Sequence, residues 1–99
     1  MNELKSEVKE LTELFRNDWT DIQQIATENN LEIDNTYLFS FIESENEDET
    51  CLFYTLGKGF FLYEKKNVSS FFNAVEKNEI EKEFPQVQTV VDIEQFDSW

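Results

Sequence analysis

The sequence predicts an α+β domain in which a single layer of antiparallel sheet packs on helices. Apolar residues recur at helical spacing in the first 29 residues, and three β-branched and aromatic runs follow between residues 36 and 65. The predicted order of elements is α-α-β-β-β-α-β. A chain of 99 residues has the size of one domain, so we expect residues 1–99 to form a single globular unit.

Two helices are expected at the N-terminal end of the chain. The first covers residues 3–16, because its apolar residues are separated by four, three and four positions: Leu4, Val8, Leu11 and Phe15. The second covers residues 20–29, where Thr20 and Gln23 have the spacing of a capping box. One long bent helix is the alternative.

A three-stranded antiparallel meander is expected next, with strands over residues 36–43, 50–56 and 60–65. The first connection, Ser44 to Glu49, is entirely polar. Gly57 and Gly59 lie in the second connection, where they supply the positive φ that a tight hairpin needs.

The rest of the chain is expected to add a third helix and a fourth strand. Residues 67–84 place four apolar side chains on one side of a helix, which Pro85 ends: Val68, Phe71, Phe72 and Val75. The pattern of a half-buried strand on the same sheet follows, with one set of side chains alternating with another: Val87, Thr89, Val91 and Ile93 against Gln88, Val90 and Asp92.

Both faces of the predicted sheet carry apolar side chains. In the first strand Tyr37, Phe39 and Phe41 are expected on one face, with Leu38 and Ile42 on the other. Either helices cover both faces, or one face stays partly open and forms an interface.

The net charge of −14 arises from 22 acidic and 8 basic residues and is concentrated in the middle of the chain. Residues 17–50 hold ten acidic residues and no Lys or Arg, and 41 residues separate Arg16 from Lys58. Such a segment repels DNA and RNA, which excludes an ordinary nucleic-acid-binding protein and favours a partner with a basic surface. The alternative is that the charge serves solubility alone.

The acidic character is densest in residues 43–50, ESENEDET, where five of eight side chains are carboxylates. An EF-hand loop is excluded, because its required Asp, Gly and Glu are not in register. Three interpretations stay open for this segment: a solvated hairpin turn, a weak surface Ca²⁺ site, and part of a surface that meets a partner.

The residue types argue against an enzyme. The chain has no His, and Cys51 is its only cysteine, in the middle of an apolar strand. We therefore expect Cys51 to be a buried structural thiol rather than a nucleophile or a zinc ligand. We expect no catalytic residue, no metal site and no cofactor.

The candidate partner-binding residues are a tryptophan and the acids of the base-free segment. Trp19 stands among acidic residues at the start of the second helix, either as a core residue or as an exposed anchor. The full set is Asp18, Trp19, Asp21, Glu28, Glu32, Asp34, Glu43, Glu45, Glu47, Asp48 and Glu49.

These observations favour a small acidic inhibitor whose carboxylates occupy the cationic groove of a nuclease or another nucleic-acid enzyme. The short chain, the base-free stretch over residues 17–57 and the lack of a catalytic constellation resemble two classes of protein. These are the small acidic immunity proteins that neutralise nuclease toxins, and phage-encoded acidic inhibitors of host defence nucleases. The resemblance is one of class rather than of motif, so it assigns no role to an individual residue.

A non-catalytic adaptor or regulatory subunit that dimerises or binds a partner through an aromatic sheet face is the main alternative. A Ca²⁺-responsive module is a third. The N-terminus lacks the apolar core of a signal peptide, and the apolar runs are far shorter than the ~20 residues of a membrane span. A cytoplasmic location without a membrane partner is therefore expected.

Overall fold

The computed structural model describes residues 3–45, 48–66, 69–85 and 87. Its fold is α+β, with a single antiparallel sheet packed on helices, and the strands follow one another in the spatial order β1-β2-β3-β4. None of the helices described is long and apolar enough to cross a membrane. The elements are α1 (Glu3–Asn17), α2 (Thr20–Glu28), a 3-10 turn (Ile33–Asn35), β1 (Thr36–Glu43), β2 (Glu49–Thr55), β3 (Gly59–Lys66), β4 (Ser69–Val75) and α3 (Lys77–Ile80).

The two N-terminal helices and the first three strands confirm the predictions to within about one residue. The turn between β2 and β3 has φ of 82° at Gly57 and 98° at Gly59, as the glycines predict. The predicted capping box is wrong, because no side chain caps the start of α2. Gln23 Nε2 donates instead to the backbone carbonyls of Phe15 and Arg16, each at 2.9 Å, and thereby ties the end of α1 to α2.

α1 binds the backbone of β1, the first strand of the sheet. The Leu38 N–H donates to the Thr12 hydroxyl at 3.0 Å, and Thr12 is buried. One turn further along α1, Arg16 Nη2 donates to the backbone carbonyls of Asp34 at 3.1 Å and Thr36 at 3.0 Å. Side chains of α1 therefore form hydrogen bonds with backbone groups that an edge strand would otherwise expose to water or to another chain.

A β-bulge at Phe39 changes which side chains of β1 share a face. Leu38 and Ser40 pair with consecutive residues of β2, so Phe39 is an extra residue between them. Phe41 consequently packs in the same cluster as Leu38, whereas Phe39 packs in another with Tyr37. Two predictions are therefore wrong, that Phe41 shares the face of Tyr37 and Phe39 and that Ile42 shares the face of Leu38, because strict alternation does not hold across a bulge.

The helix predicted over residues 67–84 is also wrong. Ser69–Val75 forms β4, which pairs along its whole length with β3, and only the short α3 follows. Phe72 stacks on Phe61 with 5.5 Å between ring centroids, a packing that the apolar residues of this segment obtain as a strand. Of the strand predicted over residues 87–93, Val87 is buried, and residues 88–93 lie outside the described residues.

The two faces of the sheet carry separate cores, and the α3 face stays partly open, because Ile42 and Phe71 on it are 53% and 55% exposed. α1 contributes to each core. The cluster on the α2 face comprises Phe15, Ile22, Ala26, Leu31, Leu38, Cys51 and Phe53. The cluster on the α3 face comprises Val8, Phe39, Leu52, Tyr54, Phe60, Ile80, Phe84 and Val87.

Replacing Thr12 with Val should lower the free energy of unfolding by about 1–3 kcal/mol, because the buried Leu38 N–H would lose its acceptor at nearly constant side-chain volume. Urea unfolding followed by circular dichroism measures this loss. Thr27→Val is the matched control, since Thr27 is exposed and its hydroxyl donates to Gln24 within α2. We expect the control to change stability by less than about 0.5 kcal/mol. Equal losses in the two variants would contradict the role given to Thr12.

Candidate protein-binding site

A groove of about 310 Å³ lies between the start of α2 and the neighbouring ends of β1 and β2. Three of its seven lining residues carry a carboxylate, and none of the seven is basic. We call it the Trp19 groove. It is lined by Asp18, Trp19, Thr20, Asp21, Ile22, Phe41 and Glu49.

Trp19 is held at the junction of α1 and α2. Its N–H donates to the Leu14 carbonyl at 2.9 Å, and its own carbonyl accepts the Gln23 N–H at 3.0 Å. Its ring packs against Phe41 with 5.0 Å between centroids, and the residue is half-buried. Trp19 is therefore fixed on one side by the sheet, while its remaining surface lines the groove.

The carboxylates around Trp19 come from two parts of the chain. Asp18 and Asp21 are exposed residues at the start of α2, and Glu49 is the first residue of β2. Glu43 lies directly opposite Glu49 in the β1–β2 pair, where like charges repel. Lys65 offsets part of this repulsion, with its Nζ 3.9 Å from Glu49 Oε2.

A second groove, of about 380 Å³, adjoins the first and shares Asp21, Ile22 and Glu49 with it. Burial raises the pKa of Tyr63, which lines this groove, and the negative charges of Glu49 and Glu28 raise it further. This Tyr63 groove is lined by Asp21, Ile22, Gln24, Ile25, Glu28, Glu49, Tyr63 and Lys65.

The structure brings together six of the eleven candidate residues. They lie in the two grooves or directly opposite a groove residue: Asp18, Trp19, Asp21, Glu28, Glu43 and Glu49. Acids from helix α2 and acids from the end of the β1–β2 hairpin thus share one side of the sheet, the α2 face.

Other candidate residues lie elsewhere. Glu32 and Asp34 precede β1, whose eight residues extend over about 23 Å before Glu43, so these two acids lie at the far end of the strand. Glu45 is exposed in the turn, and Asp48 closes that turn by accepting the Ser44 N–H at 2.9 Å.

Glu47 lies outside the described residues. The interpretation of residues 43–50 as a weak Ca²⁺ site stays a prediction, because this segment is described only in part. Within the described ranges, no group of three or more carboxylate or thiol side chains is arranged to hold a metal ion.

Seven lining residues of the two grooves were not among the candidates, and three of these contribute to the site as described above: Phe41, Tyr63 and Lys65. Phe41 was assigned to the wrong face, because the bulge at Phe39 leaves no signal in the sequence. Tyr63 and Lys65 had a usable signal, since the glycine turn fixes the β2–β3 register and places Lys65 opposite Glu49.

No protein-family model, no curated protein and no solved structure matches this chain. Any functional assignment therefore rests on the geometry and the charge of the chain itself.

The Cys51 thiol should be unreactive in the folded protein. Burial, together with the negative charge of Glu49, raises its pKa from 9.0 to about 12, and the thiolate is the reactive form. At about pH 8, a thiol reagent should modify Cys51 of the native protein only as fast as the protein unfolds. It should modify Cys51 of the denatured chain immediately. The Cys51 thiol loses its proton near pH 9.0 in the unfolded chain and near pH 12 in the folded chain. Its contribution to the free energy of unfolding is therefore complete below pH 9.0 and decreases as the pH rises towards 12. Rapid labelling of the folded protein would contradict the assignment.

The negative field at Trp19 is measurable by fluorescence quenching in a Trp99→Phe background, where Trp19 is the single tryptophan. The ratio of quenching by Cs⁺ to quenching by I⁻ should be higher for Trp19 in the folded chain than in the unfolded chain. The reason is that the groove carboxylates attract cations and repel anions. The groove triple variant, Asp18→Asn with Asp21→Asn and Glu49→Gln, should abolish most of this preference.

The matched control has the same net charge as the groove triple variant. In this α1 triple variant, exposed acids of α1 are neutralised instead: Glu7→Gln, Glu10→Gln and Glu13→Gln. The preference for Cs⁺ should persist there. If both variants lose the preference for Cs⁺ equally, quenching of Trp19 depends on the net charge of the chain rather than on the carboxylates of the groove.

Proposed function

We propose that this chain binds a protein with a basic surface and blocks it, with the Trp19 groove at the centre of the contact. In the Trp19 groove, three carboxylates lie beside the Trp19–Phe41 pair, and no lining residue is basic. The proposal rests on this observation. Carboxylates pair with Lys and Arg side chains, and a tryptophan face accepts a guanidinium group. An Arg side chain of the partner fits this combination best.

The arrangement has the features of a central energetic contact. Trp and Arg dominate binding energy at many protein interfaces, and Trp19 is already packed on Phe41, so its binding would cost little side-chain entropy. Glu28 lines the adjoining Tyr63 groove and Glu43 lies opposite Glu49, so both add to the negative charge near the Trp19 groove. Such a field accelerates association with a basic partner and weakens as salt rises.

The target that suits this chemistry is a nuclease or another nucleic-acid enzyme. Its phosphate-binding groove presents Lys and Arg, the groups that carboxylates of an inhibitor can occupy. The inhibitor acts by occlusion and performs no reaction. In kind this role is that of an immunity protein against a nuclease toxin, or of a phage-encoded inhibitor of a defence nuclease.

The proposal is tested with three immobilised baits in lysate of the organism that encodes the chain: the wild type, the groove triple variant and the α1 triple variant. We expect the wild type and the α1 triple variant to retain a basic nucleic-acid enzyme at about 50 mM NaCl and to release it as salt rises to about 500 mM. The groove triple variant should not retain it.

The captured enzyme is then purified and its cleavage of nucleic acid is measured. The wild type should inhibit cleavage, and the groove triple variant should do so with an inhibition constant about 100-fold weaker, because it loses charge-paired contacts. Equal inhibition by the two triple variants would show that net charge, and not the groove, determines binding. A partner that stays bound at high salt would contradict the electrostatic mechanism.

A further inference from the structure

Lys65 is the one basic residue among the described residues that line the two grooves of the α2 face. It lies directly opposite Glu49 in the β2–β3 pair, and its Nζ is 3.9 Å from Glu49 Oε2. Glu49 lines both grooves, so this ion pair neutralises part of the charge that the Trp19 groove presents to a basic partner. No Lys or Arg lies outside the described ranges, so none of the undescribed residues brings a second such side chain to Glu49.

The ion pair between Lys65 and Glu49 is loose. Its separation of 3.9 Å exceeds the roughly 2.7–2.9 Å of a charged hydrogen bond, so the two groups attract each other without a direct hydrogen bond. The Lys65 side chain is 50% exposed, whereas the Glu49 side chain is 21% exposed. Lys65 can therefore turn into water while Glu49 stays in the wall of the grooves, and breaking an exposed ion pair of this kind costs little.

The pair has a role in the free chain, because Glu49 has a second charged neighbour. Glu43 lies opposite Glu49 on β1, so Glu43, Glu49 and Lys65 form one row across three strands. Lys65 offsets part of the repulsion between the two carboxylates. A cationic side chain of a partner, bound beside Glu49 in the Trp19 groove, would offset the same repulsion, and Lys65 is then no longer needed there.

We propose that Lys65 competes with the basic partner for Glu49. An Arg side chain of the partner enters the Trp19 groove, binds Glu49 together with Asp21 and leaves Lys65 to solvent. The Arg displaces Lys65 because a guanidinium group donates two parallel hydrogen bonds to one carboxylate, whereas the Lys65 ammonium is a single point charge at 3.9 Å. This inference rests on the proposed function, and it identifies Lys65 as a residue that limits affinity at the same site.

Competition predicts an effect opposite in sign to that of the groove acids. Removing an acid weakens the binding of a basic partner, whereas removing Lys65 should strengthen it, because Glu49 is then available without displacement. Net charge alone also predicts a gain, since each Lys→Gln change makes the chain more negative. Lys66 separates the two effects. It is the next residue of β3 and lies on the other face, and its Nζ is likewise 3.9 Å from a carboxylate oxygen, Glu64 Oε2.

The probe is the tripeptide acetyl-Gly-Arg-Gly-amide, and its binding is measured by Trp19 fluorescence in the Trp99→Phe background at a constant ionic strength of about 50 mM. Lys65→Gln should tighten binding about 3-fold, the scale of an exposed ion pair. Lys66→Gln changes the net charge equally and should tighten binding less than about 1.5-fold.

A double-mutant cycle isolates the contact between Lys65 and Glu49. In a Glu49→Gln background, Lys65→Gln should change the affinity for the tripeptide by less than about 1.5-fold, because the acid for which Lys65 competes is gone. Circular dichroism confirms that each variant folds, and Lys65→Met replaces Lys65→Gln if the latter does not.

Equal tightening by Lys65→Gln and Lys66→Gln would overturn the inference, because net charge would then account for both. Tightening by Lys65→Gln that persists in the Glu49→Gln background would also overturn it. The groove triple variant distinguishes this failure from failure of the proposed function. If that variant binds the tripeptide as tightly as the parent chain does, the groove is not an Arg site, and the proposed function fails together with the inference. If it loses the tripeptide while Lys65→Gln has no effect, only the role of Lys65 fails.

Discussion

The hydrogen bonds between α1 and the backbone of β1 are the interaction on which the rest of the structure depends. Thr12 and Arg16 bind backbone groups of the first strand, and the same helix places Val8 in one core and Phe15 in the other. A single helix therefore sets the position of both faces of the sheet. α2 begins where α1 ends, because Gln23 binds the last carbonyls of α1, and this fixes Trp19 against β1.

The distribution of charge follows from this arrangement. The start of α2 and the end of the β1–β2 hairpin lie side by side, so two acidic stretches of the sequence combine into one surface on the α2 face. Concentrated like charge costs stability in the folded chain, and a basic partner would offset that cost. The two outer strands of the described sheet differ: side chains of α1 bind the backbone of β1, whereas β4 has no charged residue and five of its seven residues are exposed. We therefore place the proposed contact with a basic protein on the α2 face.

Regular local patterns were predictable and tertiary pairings were not. The fold class, α1 and the glycine hairpin follow from spacing and turn chemistry alone. The apolar residues of 67–84 fit helical spacing, but residues 69–75 form a strand because they pair with β3. Such a pairing joins different parts of the chain, so local spacing does not predict it. The bulge at Phe39 likewise depends on pairing with another strand. In the site, the position of Trp19 among acids was visible locally, but the approach of Glu49 was not. A run of acidic residues contains no information that separates Glu49 from Glu32.

The most direct test of the central claim is a comparison of ¹⁵N–¹H NMR spectra of the labelled chain, free and bound to the basic protein that it captures. We expect the largest changes at the Trp19 indole and at the amides of residues 18–22, Phe41 and Glu49. The exposed acids of α1, at residues 7–13, should be unaffected. Changes spread evenly over all acidic residues would contradict recognition by the groove, and changes confined to β4 would place the partner at the other edge of the sheet.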